Sequence, residues 1–108
     1  MILAASVLVI AAVAIGCGGD GDGGAAATTE VEIVEFAFEP PTITVEAGAE
    51  VSWANADEAA HTASAEDGSF DTGGLGKNEV GRVTIDEPGT YAYVCEFHPF
   101  MKGTIEVE

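Results

Sequence analysis

Four side chains suited to a soft metal ion fall in two segments of the chain. His61 stands alone, while Cys95, His98 and Met101 follow one another in steps of three. Together they comprise both histidines, one of two cysteines and one of two methionines in 108 residues. Taken singly, each has a plainer reading: a loop histidine, a buried inert thiol, a flexible core filler. Taken as a set, thiolate, imidazole and thioether favour copper, and two His with a Cys and a weak axial Met form the ligand set of sites that pass single electrons. Zinc is the rival ion, because two His and a Cys also suit a tetrahedral zinc site. The thioether of Met101 argues for copper. Four protein ligands leave no open position for a substrate, unlike catalytic metal sites, so an enzyme is not expected.

These side chains can meet only if strands and turns bring them together. Tyr91, Tyr93 and Cys95 alternate with Ala92 and Val94, which predicts a strand delivering Cys95. Pro99 cannot continue a ladder, so the chain must turn there. Upstream, Glu30-Val31-Glu32-Ile33 alternates, and Val34, Phe36 and Phe38 carry the apolar face on, one residue out of phase. That slip predicts a bulge near Ile33–Val34. Pro40-Pro41 ends the run, Ile43 and Val45 form the next inward face, and Ala47-Gly48 marks a turn. Val51 and Trp53 alternate within Glu50–Asn55, and Ala56–Ala60 is a polar loop that delivers His61. Asp67–Leu75, with three glycines, reads as an irregular excursion. Val83 and Ile85 mark a strand closed by Pro88-Gly89, and Ile105 and Val107 face inward from a last strand over Gly103–Glu108. Seven or eight short strands without helical period predict an all-β sandwich.

Residues Met1–Ile15 are apolar except for Ser6, too short for a spanning helix and suited to a signal-peptide core. Ala14-Ile15-Gly16-Cys17 resembles a bacterial lipobox, in which Cys17 becomes the lipidated first residue, although no Lys or Arg precedes the apolar run. A short uncleaved anchor is the alternative, and it would leave the domain on the same side of the membrane. Residues 18–29 carry five glycines and no apolar periodicity, which predicts a flexible linker. The expected layout is a signal segment over 1–17, a linker over 18–29 and one domain over 30–108. A Cys17–Cys95 disulfide would tie the tail to a strand and consume the thiolate, so the two cysteines are read as having separate tasks.

The run Gly89-Thr90-Tyr91-Ala92-Tyr93-Val94-Cys95-Glu96-Phe97-His98-Pro99-Phe100-Met101-Lys102-Gly103 resembles the copper loop of the cupredoxins, the blue copper proteins, with the short Cys-x-x-His-x-x-Met spacing of the amicyanin type. Val51-Ser52-Trp53-Ala54-Asn55 followed by His61 is similar to the segment that carries that family's first ligand. The resemblance covers Glu30–Glu108 and implies a Greek-key β-sandwich of the amicyanin and plastocyanin kind. It implies one copper ion, cycling between Cu(II) and Cu(I), held by His61, Cys95, His98 and Met101. It also implies that His98, flanked by Phe97, Pro99 and Phe100, is the port through which electrons enter and leave. Two positions depart from the family's usual residues. Thr62 follows the first ligand where Asn is frequent, and Glu96 follows the cysteine where Ser or Thr is frequent. Both positions neighbour the ligands and bear on their orientation.

Nineteen Asp plus Glu against three Lys plus Arg give a formal charge of −16. Repulsion disfavours nucleic acid and anionic membrane surfaces as partners. It favours redox proteins with basic docking faces, a donor and an acceptor, approached at the outer face of the cytoplasmic membrane. Solvation of a protein from a salty setting would produce the same acidity. The layout of lipid anchor, linker and acidic domain is similar to that of the halocyanins. Besides an electron carrier, expected to be a monomer, two other classes remain at this level: a copper storage or delivery module, and a domain working within a larger copper enzyme.

Overall fold

The computed structural model describes residues 24–108; the signal segment, Cys17 and most of the linker lie outside the described residues. Nine strands follow in order: β1 (Ala26–Ala27), β2 (Glu30–Val34), β3 (Ala37–Glu39), β4 (Thr42–Val45), β5 (Glu50–Asn55), β6 (Ser64–Ala65), β7 (Val80–Thr84), β8 (Gly89–Val94) and β9 (Lys102–Val107). No helix occurs among the described residues. Two of the nine are only two residues long, which accounts for the excess over the seven or eight expected.

The strands form two sheets, one in the order β1-β4-β9-β8-β6 and the other β3-β2-β5-β7. Both are mixed: β2 runs parallel to β5 and β4 parallel to β9, while the hairpin neighbours are antiparallel. β1 pairs with β4 through Ala26↔Ile43, so the first sheet takes in residues that the sequence places at the end of the linker. Alternation sets which side chains meet between the layers. Val31, Ile33, Val51, Trp53, Ile43, Ile105 and Val107 are buried, while Glu30, Glu32 and Glu106 between them face out. At the centre, the Tyr93 ring meets Phe38 at 4.7 Å and Trp53 at 5.5 Å, both edge to face, the arrangement favoured by ring quadrupoles.

The expected bulge near Ile33–Val34 is not there. β2 instead ends at Val34 and turns back at once as β3, with Val34 paired to Ala37 across a two-residue turn. Glu35 and Phe36 occupy that turn with φ of 52° and 57°. Positive φ at both positions is the hairpin turn whose twist matches the strands, usually built from Asn-Gly or Asp-Gly. The change of phase in the apolar pattern records a reversal of the chain, not an extra residue in a continuing strand.

Candidate metal centre

His61 lies beyond the end of β5 and Cys95 just past β8, at the same end of the two facing sheets. Both are fully buried. The polar loop reaches His61 through Asn55, whose amide nitrogen donates to the carbonyls of Ala59 (2.9 Å) and Leu75 (2.8 Å), and whose side-chain oxygen accepts from the Asp57 N–H (2.8 Å). Gly73, Gly74 and their neighbours belong to a segment that returns to this loop. His61 and Leu75 exchange both backbone hydrogen bonds, at 3.0 and 2.7 Å, and the Ala63 N–H donates to the Thr72 hydroxyl at 2.9 Å. The excursion over Asp67–Leu75 is therefore the brace behind the first histidine.

The second segment is a closed loop. The His98 N–H donates to the Cys95 carbonyl (3.2 Å), the Met101 N–H to the His98 carbonyl (2.9 Å), and the Cys95 N–H back to the Met101 carbonyl (3.1 Å). Two successive turns thus fill the six steps between Cys95 and Met101, and β9 starts at the next residue. Met101 is buried beneath the loop, His98 is half-buried, and Phe97 and Phe100 stand out at 54% and 68% exposure.

The two segments converge. Ligand atoms of His61, Cys95 and His98 all lie within 4.8 Å of one another. The Cys95 sulfur is 3.7 Å from His61 Nδ1 and 3.6 Å from His98 Nδ1. Metal–nitrogen and metal–sulfur bonds of about 2.0 and 2.3 Å meeting at roughly 110–120° leave nitrogen and sulfur about 3.5–3.7 Å apart, so the spacing suits one ion among the three atoms. The full burial of His61 and Cys95 and the presence of a thiol among the three atoms suit a soft ion in that place.

Thr62 joins the two ligand segments in spite of its short side chain. Its N–H points at the Cys95 sulfur (3.4 Å), and its hydroxyl accepts from the Glu96 N–H (2.9 Å). The same hydroxyl is paired with Ser64 at 2.9 Å, and Ser64 donates to Asp71 at 3.0 Å. Glu96 takes part through its backbone, and the residue is exposed.

Two residues at the site carry no signal in the sequence. Asp57 contacts His61 Nε2 at 2.9 Å and accepts from the turn N–H groups of Glu35 (2.8 Å) and Phe36 (2.9 Å). Burial works against its ionisation, but the Phe36 and Glu35 N–H groups and His61 outweigh it and hold the carboxyl below its ordinary value. Phe36 stands with its ring 5.0 Å from each imidazole, at 85° to His61 and 87° to His98, and stacks on Phe100 at 6.4 Å. An acid in an acidic chain and an apolar residue in an alternating run look ordinary until the hairpin folds back on the loop.

A sandwich with two imidazoles, a buried thiol and a methionine at one end defines a protein built to enclose a single metal ion. The profile of the cupredoxin-like domain matches residues 4–107, and the chain belongs to that family. Amicyanin-alpha of Methylorubrum extorquens is 37% identical over 84 residues, covering 73% of this chain and 71% of its own length. Matches to the amicyanins of Paracoccus versutus and Paracoccus denitrificans cover 63% of each of those proteins. Among solved structures, a reduced amicyanin variant superposes with a TM-score of 0.69 at 28% identity, covering 83% of this chain and 87% of that one. A copper-containing nitrite reductase from Thermus scotoductus matches at TM-score 0.68 and 33% identity, but over only 22% of its chain. That likeness is to one module of a larger enzyme.

Proposed function

We propose that the protein is a one-electron carrier, with His61, Cys95, His98 and Met101 holding one copper ion. The observation that carries this reading is the convergence of two imidazole nitrogens and one buried thiol at metal-binding spacing. Copper, when bound, supplies the Cu(II)/Cu(I) couple. The chain supplies a cage that is braced before any ion arrives: His61 by Leu75, the Cys95–Met101 loop by its own turns, and the two segments by Thr62. Such a cage needs little rearrangement on electron transfer, and it excludes water and substrate from the metal. The role is that of a carrier, not an enzyme.

His98 is the port. It is the ligand that reaches the surface, within a patch formed by Phe97, Pro99 and Phe100. A small apolar patch suits brief encounters, whose interfaces lie at the low end of the size range. With a formal charge of −16, the carrier would draw donor and acceptor proteins with basic docking faces, at rates that fall as salt rises. Export with lipidation at Cys17 would tether it as a monomer at the outer face of the cytoplasmic membrane, on the glycine-rich linker.

The visible spectrum of residues 25–108 loaded with Cu(II) tests the reading. An intense blue band that bleaches with ascorbate and returns on oxidation is expected; a colourless copper complex would turn the proposal toward storage or delivery. Met101→Leu is expected to keep copper and colour while changing the reduction potential, because the thioether is the weak ligand. An unchanged potential would remove Met101 from the ligand set.

A further inference from the structure

The turn between β2 and β3 puts two unfavourable residues where glycine or asparagine is usual. Left-handed backbone is disfavoured for any residue with a side chain, because Cβ crowds the following carbonyl oxygen, and Glu35 and Phe36 both adopt it. Their N–H groups do not pair with a neighbouring strand. Both donate to one carboxylate, that of Asp57, more than twenty residues away in the chain. The oxygen that accepts from Phe36, Oδ2, is also the one 2.9 Å from His61 Nε2. Asp57 is thus the meeting point of a hairpin turn and a metal ligand.

The proton arrangement follows from the partners. A carboxylate only accepts, so His61 must carry its hydrogen on Nε2. The Nδ1 lone pair is then left facing Cys95 Sγ, 3.7 Å away. Carboxylate partners of this kind fix the tautomer and orientation of a ligating histidine and raise its basicity. By holding the turn, the same group also holds the Phe36 ring edge-on to both imidazoles. That ring is 42% exposed and borders the aromatic surface around His98.

We propose that Asp57 is a positioning residue: one carboxylate sets the tautomer and donor strength of His61 and, through the Glu35–Phe36 turn, fixes Phe36 against His98. This rests on the copper-carrier reading for its effect on potential, but the tautomer and the placement of Phe36 belong to the apoprotein. A more basic imidazole favours Cu(II) over Cu(I). Loss of the carboxylate therefore raises the reduction potential and weakens Cu(II) binding, by about 10–100-fold on the scale of such outer partners. Asn could set its one oxygen where Oδ2 serves both Phe36 and His61 and turn its NH2 toward Glu35 alone, so Ala, which accepts from none of the three donors, is the decisive variant.

The test begins with the wild-type apoprotein at alkaline pH, where nitrogen NMR should show His61 as the Nε2–H tautomer with a slowly exchanging ring proton. An Nδ1–H tautomer there would overturn the proposal whether or not copper binds. In Asp57→Ala the expected changes are an increased Nδ1–H population, altered His98 ring-proton shifts as Phe36 moves, and, in the copper form, a raised potential. Asp57→Glu should restore part of each. A folded Asp57→Ala protein with a lower melting temperature but wild-type tautomer, His98 shifts and potential would reduce Asp57 to a purely structural role. If the wild type forms no blue complex, the carrier reading fails, while the apoprotein measurements still decide the role of Asp57.

Discussion

Cys95→Ser should abolish the intense visible band of the copper-loaded protein while leaving the apoprotein folded. The band arises from charge transfer between thiolate sulfur and Cu(II), and no other cysteine lies among the described residues. Serine is close in size, and its hydroxyl can still accept the Thr62 N–H that now points at sulfur from 3.4 Å. The copper site loses its soft anionic ligand, and Cu(I), which prefers such ligands, should be held much less tightly. The check pairs an absorption spectrum with far-ultraviolet circular dichroism. Persistent intense blue colour in a folded Cys95→Ser protein would exclude Cys95 as a ligand.

The second large effect is structural and falls on the strand paired with the one that leads to that cysteine. Gly103→Ala should destabilise the domain by about 1–3 kcal/mol, the usual cost of forcing an extra carbon into a packed core. Gly103 is buried in β9 directly opposite Tyr93 in β8. A Cβ there would run into the Tyr93 ring at Cζ and Oη and stand 2.8 Å from Cε2. The ring has little room to retreat, held as it is by Phe38 and Trp53. Its burial is deep enough to push the phenol pKa up to about 12, and the hydroxyl has no hydrogen-bond partner among the described residues. For a domain of this size, each 1 kcal/mol lowers the melting temperature by about 4–8 °C. Thermal unfolding of the apoprotein measures it, and the pair Gly103→Ala with Tyr93→Leu should lose less than the sum of the two single losses. Wild-type melting of Gly103→Ala would show that the sheet absorbs the clash.

What could be read from the sequence was governed by how local its cause is. Cys95, His98 and Met101 declare themselves because spacing within a short loop is visible in one line, and His61 follows as the remaining histidine. Strand alternation placed Val31, Trp53, Tyr93 and Ile105 inward, as the structure has them. The hairpin at Glu35–Phe36 was hidden, since neither residue is a turn former and the group that stabilises the turn lies at Asp57, in another loop. The phase slip was the only trace of it, and a bulge explains a slip equally well. The return of Leu75 to His61 was hidden for the same reason: glycines mark freedom of the backbone, not its destination. Thr62 shows the limit of side-chain reach as a guide. Its hydroxyl bridges the two ligand segments because the backbone of Glu96 comes to it.

The ligand segments issue from different sheets, His61 after β5 of one and Cys95 after β8 of the other. An ion held between them is therefore a rivet through both layers at one end of the sandwich. Binding confined to the folded state adds RT ln(1 + [L]/Kd) to its stability. A chain of fewer than a hundred described residues with seventeen acidic side chains repelling one another has reason to use that increment. Loading would then mark maturity as well as competence: the filled domain would resist opening and proteolysis at its metal end, where the empty one opens more readily.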